Sequence, residues 1–356
     1  MYAVDAIMRA EARGMSVIVG WDIGGAHLKA ARAENARIVD AIQLACPLRL
    51  GLEAVAEAFP QATARIGSAD RHVVTMTGEL ADTFASRREG VERLSALAVR
   101  ALAPAPVWLY AGRAGFISPD AAHRHVEDVA SANWLASASV AAKAHGAALF
   151  MDIGSTTTDI VPVAGGAVTA RGYTDAQRLA AGELVYTGLV RSFVMAVAER
   201  APLAGRWVPL INESFATMAD VHRILGTLPE GADQMATADR REKTVAASLA
   251  RLARMVGCDA GDADAAAWTA LARWFAEAQI RSIIDGAMLV LSAARLPDAA
   301  PVVGAGVGAG MVSVAAQRLG RDYVEFASLL DVVPQARERA SHCAPAAALA
   351  ILANGE

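Results

Sequence analysis

Lysine is nearly missing from this chain: Lys29, Lys143 and Lys243 are the only three among 33 basic residues. GC-rich codon usage explains the scarcity, and it makes the position of each surviving lysine a question. Cysteine is scarce as well. Cys46, Cys258 and Cys343 are far apart, odd in number and form no Cys-x-x-Cys, which excludes a disulfide framework and a structural zinc site and fits a reducing cytosol. Aromatic residues supply only 5 % of the chain, so the core must be built mainly from Ala, Val, Leu and Ile. There is no basic arm or stripe, and the net charge is −4, which argues against nucleic acid and anionic membrane as partners. The one long uncharged stretch, 299–316, carries Pro301 and glycines at 304, 306, 308 and 310. A membrane helix does not tolerate that cluster, so the stretch reads as a buried strand, a glycine loop and a helix start. Residues 1–14 contain Asp5, Arg9, Glu11 and Arg13 and no apolar centre. They are expected to be a frayed helix or an upstream start ahead of Met15, not a secretory signal.

What is present suffices for a large core. The 356 residues suggest about two domains, and the 54 % apolar content excludes disorder as the main state. Residues 15–23 and 147–153 are both apolar runs that end in Asp-Ile-Gly, and each is followed by a second apolar stretch, His27–Ala33 and Asp159–Val163. Strand, glycine turn, strand is a hairpin. The chain therefore reads as α/β in two related halves, 15–145 and 146–356. The first half continues with a strand near 38–44, a helix near 52–66, a strand at 72–76, helical patterns at 82–84 and 90–102, a strand at 107–110 and a helix at 131–145 capped by Ser131. The second has a helix at 182–199, a helical insertion over about 201–275, a helix at 281–294, the glycine loop at 302–312 and a last helix at 344–353.

Three constellations carry chemistry. In Gly20-Trp21-Asp22-Ile23-Gly24-Gly25-Ala26-His27-Leu28-Lys29, the turn glycines let backbone amides converge on an anion. Asp22 at the strand end can hold hydrated Mg²⁺ against phosphates, and Lys29 supplies a compact positive charge. An ordinary Gly-Gly hairpin capped by Asp has the same spelling. Asp152-Ile153-Gly154-Ser155-Thr156-Thr157-Thr158-Asp159 repeats the logic with hydroxyls, with Asp159 where it could reach metal or substrate. A Ser/Thr turn that satisfies its own backbone is the alternative. The third, Val302–Gly310, is a strand running into glycines. Its Gly304-x-Gly306-x-x-Ala309 also fits a dinucleotide fingerprint, but no βαβ unit with its acid follows.

Together these motifs resemble the actin-like ATPase and sugar-kinase superfamily, which implies two ribonuclease-H-like domains, each with a phosphate loop, and a later glycine loop (Gly304, Gly306) facing a nucleoside. Ala26 stands where superfamily kinases usually carry Thr or Ser. The third motif, Gly-Ala-Gly-Val-Gly-Ala-Gly, departs from the usual Gly-Gly-(Gly/Ala)-Ser/Thr. That argues against adenosine while leaving phosphate binding intact, so ATP stays open as a ligand. A narrower resemblance rests on Gly20–Lys29, Thr75-Met76-Thr77-Gly78-Glu79-Leu80-Ala81-Asp82, Asn212–Val221 and Thr237–Thr244. These stretches are similar to the hydantoinase A/oxoprolinase-like family linked to tetrahydromethanopterin one-carbon transfer. Archaeal members of it join γ-glutamyltyramine to (5-(aminomethyl)furan-3-yl)methyl diphosphate and release diphosphate. An Arg-rich bacterial member would fit methylofuran synthesis in a methylotroph.

The resemblance implies a division of roles. Asp22 and Asp152 hold Mg²⁺; the amides of Gly24, Gly25, Gly154, Ser155 and Thr156 take the charge developing on diphosphate; Lys29 adds a positive charge; Glu79 or Asp82 takes the phenol proton. A helix N-terminal acid is the plain alternative for Glu79. His123 and His125 read as surface residues. Arg240, Arg241 and Lys243 fit either a substrate carboxylate or a solvated helix face, and Trp21 fits the core. Small molecules in the cytoplasm are the expected partners, and a homodimer is compatible with the sequence. An ATP-dependent kinase or hydantoinase-type enzyme is the second reading, and a non-catalytic ATPase-like scaffold the third.

Overall fold

The computed structural model describes residues 16–355, so the expectation for residues 1–14 lies outside the described residues. The chain forms two compact units. The second is Ala141–Phe326; the first runs to Val140 and takes back the chain from Ala327 onward. The last thirty residues thus belong with the first unit.

The first unit is built on a six-stranded mixed sheet of order β3-β2-β1-β4-β5-β6. Its strands are β1 (Val17–Ile23), β2 (His27–Glu34), β3 (Arg37–Ala45), β4 (Arg71–Met76), β5 (Val107–Tyr110) and β6 (Phe116–Ile117). β1 is buried on both faces, and alternation assigns them. Val19, Trp21 and Ile23 enter a core with Phe59 and Ala62 of helix Glu53–Ile66 and Leu94 and Ala98 of helix Arg87–Leu102. The other face meets helix Ala344–Leu352 through Ala31, Ala33, Ala41, Ala346, Ala347 and Ala350. Small side chains permit a close approach: a Cβ on Gly20 would lie 2.1 Å from the Ala346 carbonyl oxygen. The alanine-rich, aromatic-poor composition is therefore a packing device on this face.

Trp21 is fully buried, as expected, and its indole N–H donates to His72 Nδ1 at 3.1 Å. Burial pulls the His72 pKa down to about 4. In an unfolded chain the ring titrates near 6.5, so between pH 6.5 and 4 the unfolded state binds more protons. Stability is whole above pH 6.5 and falls as pH drops toward 4, by up to about 3 kcal/mol from this group. Burial also lowers the pKa of His222, which adds with the same sign. Urea unfolding at pH 7, 5.5 and 4.5 checks this. His72→Gln keeps an acceptor for Trp21 but cannot titrate, so its slope should be shallower; an unchanged slope would place the protonation elsewhere.

The second unit carries a sheet of order β10-β8-β7-β13-β14, with β9 paired to β8. These are β7 (Ala147–Ile153), β8 (Thr158–Ala164), β9 (Ala167–Val168), β10 (Leu184–Val185), β13 (Val302–Ala305) and β14 (Tyr323–Glu325). Leu149, Met151 and Ile153 pack against helices Ala265–Ala294 and Ala309–Arg318. The uncharged 299–316 stretch is strand, glycine loop and helix start, and no helix among the described residues is long and apolar enough to cross a membrane.

Three local expectations are corrected. Residues 82–84 form turns rather than helix. Of the helix expected over 182–199 only the short Val194–Val197 forms, and a longer one lies just before that range, at Asp175–Ala181. There Thr174 and Gln177 form a capping box, and Gly182 is its C-cap. The segment 201–275 is not a purely helical insertion. It opens with a hairpin of β11 (Arg200–Leu203) and β12 (Arg206–Pro209), turning at Ala204-Gly205. Helices Met218–Ile224 and Val245–Arg254 follow, and together with Trp268 and Phe275 they build a separate core around Met218 and Leu252.

Candidate active site

Each unit opens on a hairpin whose tip is bent in the same way. Gly24 N–H donates to the His27 carbonyl at 2.9 Å, and Gly154 N–H to the Thr157 carbonyl at 2.9 Å. A later segment then clasps the tip. Cys46 and Leu48 amides donate to the carbonyls of Ala26 (2.7 Å) and Gly25 (3.1 Å). In the second unit Leu189 donates to Gly154 (3.0 Å), and Val190 and Arg191 donate to Ser155 (3.1 and 2.8 Å). In a planar trans peptide the C=O and the next N–H point in opposite directions. Clasping these carbonyls therefore turns the amides of Ala26, Ser155 and Thr156 away from the clasp. Those of Ala26 and Thr156 meet no protein acceptor among the described residues. Outward amides at a bend form an anion-binding concavity.

The acids sit two residues before the glycine that opens each tip, and their cross-strand partners differ. In the first unit Asp22 is in register with Lys29 on β2 and Thr75 on β4, and Lys29 with Gln43 on β3. Cross-strand partners share a face, so an acid lies beside a lysine in one polar row. In the second unit Asp152 is in register with Asp159 on β8 and Ala305 on β13. Two acids directly opposite repel. The buried Arg178 guanidinium answers one of them: its Nη1 donates to Asp159 Oδ1 at 2.8 Å and its Nη2 to the Glu183 carbonyl at 2.8 Å. Sequence reasoning missed Arg178 because the helix that carries it was placed too late; the Thr174–Gln177 capping box followed by Gly182 was the available signal.

The third glycine loop seats on the same strand end. Gly306 has φ +82°, and a Cβ there would lie 2.2 Å from Asp152 Oδ1 and 2.3 Å from the Ile153 carbonyl oxygen, so only glycine fits. Gly308 N–H donates to Ile153 C=O at 2.8 Å. Gly304 has a plainer reason, since a Cβ would lie 2.4 Å from the Tyr323 ring; close packing accounts for it.

The 77–82 loop is pinned to the first hairpin: the amides of Thr77 and Gly78 both donate to Ile23 C=O at 3.0 Å. Glu79 is buried and accepts from the Ser131 hydroxyl at 2.8 Å. Asp82 is exposed in a turn. Ser131 is not the helix cap expected of it. It has φ +51°, the helix begins at Asn133, and the hydroxyl serves Glu79 instead. His123 and His125 do not converge on a metal: His123 Nδ1 faces the Asp120 carbonyl and His125 Nδ1 the Asp128 carboxylate.

The segments 212–221 and 237–244 contribute Asp220, Asp239 and Lys243 to a network of ion pairs and hydrogen bonds. Asp220 is buried and accepts from the Arg251 Nε at 2.9 Å, from Ser248 at 2.8 Å and from Arg223 at 3.3 Å. Arg251 also reaches Asp239 at 3.1 Å, and Arg223 pairs with Asp233. Lys243 Nζ donates to the Asp233 carbonyl at 2.7 Å. Arg240 and Arg241 are exposed in a turn, so the helix-face reading of this segment does not hold.

Among the described residues no group of three or more His, Cys, Asp or Glu converges as a metal cage. Mg²⁺ is commonly held by one or two carboxylates together with water and substrate phosphates. The directly opposed Asp152 and Asp159 carboxylates, beside outward amides, fit such a shared ion.

Two archaeal proteins, each named (4-{4-[2-(gamma-L-glutamylamino)ethyl]phenoxymethyl}furan-2-yl)methanamine synthase, are similar in sequence. That of Methanocaldococcus jannaschii is 31 % identical over 246 residues, covering 68 % of this chain and 72 % of that protein. That of Methanococcus vannielii is 29 % identical over 111 residues, covering 31 % of this chain and 50 % of that protein. A nucleotide-free acetone carboxylase structure shares the fold, with TM-score 0.58 at 12 % identity over 95 % of this chain and 70 % of that one. The sequence model of the hydantoinase/oxoprolinase family matches residues 70–353, most of the chain, including the 77–82 loop, the second hairpin and the third glycine loop, and the chain belongs to that family.

Proposed function

We propose that the protein is a Mg²⁺-dependent transferase of methylofuran or methanofuran biosynthesis. It joins the phenol of γ-glutamyltyramine, or of a tyrosine-type analogue, to an (aminomethyl)furan-methyl diphosphate. The observation that carries this reading is the similarity to the M. jannaschii synthase, whose name describes a phenoxymethyl-furan-methanamine. In the reaction a bond forms between the phenol oxygen and the furfuryl-type methylene carbon. The bond from that carbon to diphosphate oxygen breaks, the phenol gives up its proton, and diphosphate leaves with the electron pair.

The chain supplies the matching parts. The outward amides and hydroxyls of the 154–157 turn meet the charge that grows on the departing diphosphate, where fixed dipoles are most effective. Asp152 and Asp159 would hold Mg²⁺, which contributes neutralising charge to the diphosphate. Asp22, Lys29 and the amides of Gly25 and Ala26 offer the first unit's anion-binding turn, the Gly24 amide being spent on the His27 carbonyl. We assign the phenol proton to Asp82, the exposed acid of the 77–82 loop. Glu79, buried and bonded to Ser131, holds that loop in place. The altered third motif supports a substrate with diphosphate but no adenosine: Gly306 serves to seat the loop against Asp152, and packing explains Gly304. We also read the two units as duplicated ribonuclease-H-like domains, each with one phosphate turn.

Incubation of the protein with γ-glutamyltyramine, the furan-methyl diphosphate and Mg²⁺, without ATP, is expected to give ether and diphosphate in equal amounts. Mass spectrometry and a diphosphate assay read the two products. Chelation should stop the reaction and added Mg²⁺ restore it. Diphosphate without ether, or turnover only when ATP is supplied, would overturn the reading.

A further inference from the structure

A diphosphate carries more negative charge than one Mg²⁺ neutralises, so its binding needs further positive charge at the turn. We propose that Arg191 supplies it and is the side chain that recognises a phosphoryl group at the second turn; the inference rests on the diphosphate reading above. Three observations place Arg191 there. Its backbone amide clasps Ser155 C=O at 2.8 Å, so its Cα is fixed to the turn itself. Its Nη1 lies 3.4 Å from Thr156 Oγ1, and that hydroxyl lies 3.4 Å from Ser155 Oγ. The guanidinium, the two hydroxyls and the outward Thr156 amide thus gather donors at one tip, on a half-buried residue. A planar guanidinium matches phosphate oxygens two at a time, as an ammonium cannot.

The segment that carries Arg191 is braced from beneath. Gly188 N–H donates to Ser192 Oγ at 2.8 Å, and Thr187 Oγ1 to the same oxygen at 3.1 Å. Buried Gln279 Nε2 donates to both Thr187 Oγ1 (2.9 Å) and Gly188 C=O (2.8 Å), while its Oε1 faces buried His222 Nε2 at 2.9 Å. The loop is therefore held ready before a ligand arrives, which lowers the cost of binding one.

The test uses inorganic diphosphate with Mg²⁺ and titration calorimetry on the whole protein. Wild type binds; Arg191→Gln should lose about tenfold to a hundredfold in affinity, the scale of one charged hydrogen-bonding pair. Arg191→Lys should fall between, because it keeps the charge and loses the fork. In turnover, Arg191→Gln should raise KM for the diphosphate substrate and leave KM for the phenol unchanged. Arg191→Gln binding diphosphate as wild type does would overturn the proposal, whatever it does to stability. Wild type that fails to bind diphosphate would overturn it too, and the ether reading with it. Diphosphate binding that is lost in Arg191→Gln, in a protein that forms no ether, would sustain this site and overturn the ether reading alone.

Discussion

Replacing Asp152 by Asn is expected to lower ether formation by about 10²–10³-fold, the scale on which a fixed electrostatic contact acts in a transition state, while the protein folds at least as stably as before. The stability half follows from register. Asp152 and Asp159 face each other across β7 and β8, and Arg178 is bonded to the second. Asn is nearly isosteric, so Gly306 still seats against it, and removing one of two directly opposed charges relieves repulsion. Initial rates at saturating Mg²⁺ and a thermal melt check both halves. Activity within threefold of wild type would remove Asp152 from the site. A melting point several degrees lower would make it a residue of the fold.

Arg251→Met is expected to cost about 3–5 kcal/mol of stability, the range for removing one partner of a buried ion pair. Arg251 has no exposed surface and meets Asp220 through two of its nitrogens and Asp239 through a third. Burial opposes its charge, yet the bonds and attraction from Asp220 and Asp239 win and hold its pKa above the ordinary value. Without it, Asp220 stays buried with Arg223 alone to answer it, and the 237–244 segment loses its anchor. Urea unfolding measures the loss, and amide exchange should show it first in 217–254. A change under about 0.5 kcal/mol would mean that Arg223 and Ser248 suffice.

These two residues mark the limits of what the sequence disclosed. The hairpins were legible because an apolar run ending in Asp-Ile-Gly is a local pattern, and Asp22, Asp152 and their turns lie where that pattern put them. Their electrical difference was not legible. It depends on which residue stands opposite across the strand pair, Lys29 in one unit and Asp159 in the other, and then on Arg178 from a helix misplaced by several residues. Arg251 was invisible for a related reason. It sits on helix Val245–Arg254, and its partners come from 31 and 12 residues earlier. The motif around Asp239 and Lys243 was noticed, but a run of charges carries no sign of being folded inward. The clasps were hidden as well: backbone amides at 46–48 and 189–191 have no side-chain signature.

The return of the last thirty residues to the first unit has a consequence for how the protein is made. β1 leaves the ribosome before the whole second unit, and the helix that covers its Gly20 face leaves after it. Until then Ala31, Ala33, Ile38 and Ala41 have no apolar cover from 340–350. The first unit therefore closes last, although it begins first, and a nascent chain stalled anywhere in the second unit displays a bare sheet face to chaperones and proteases.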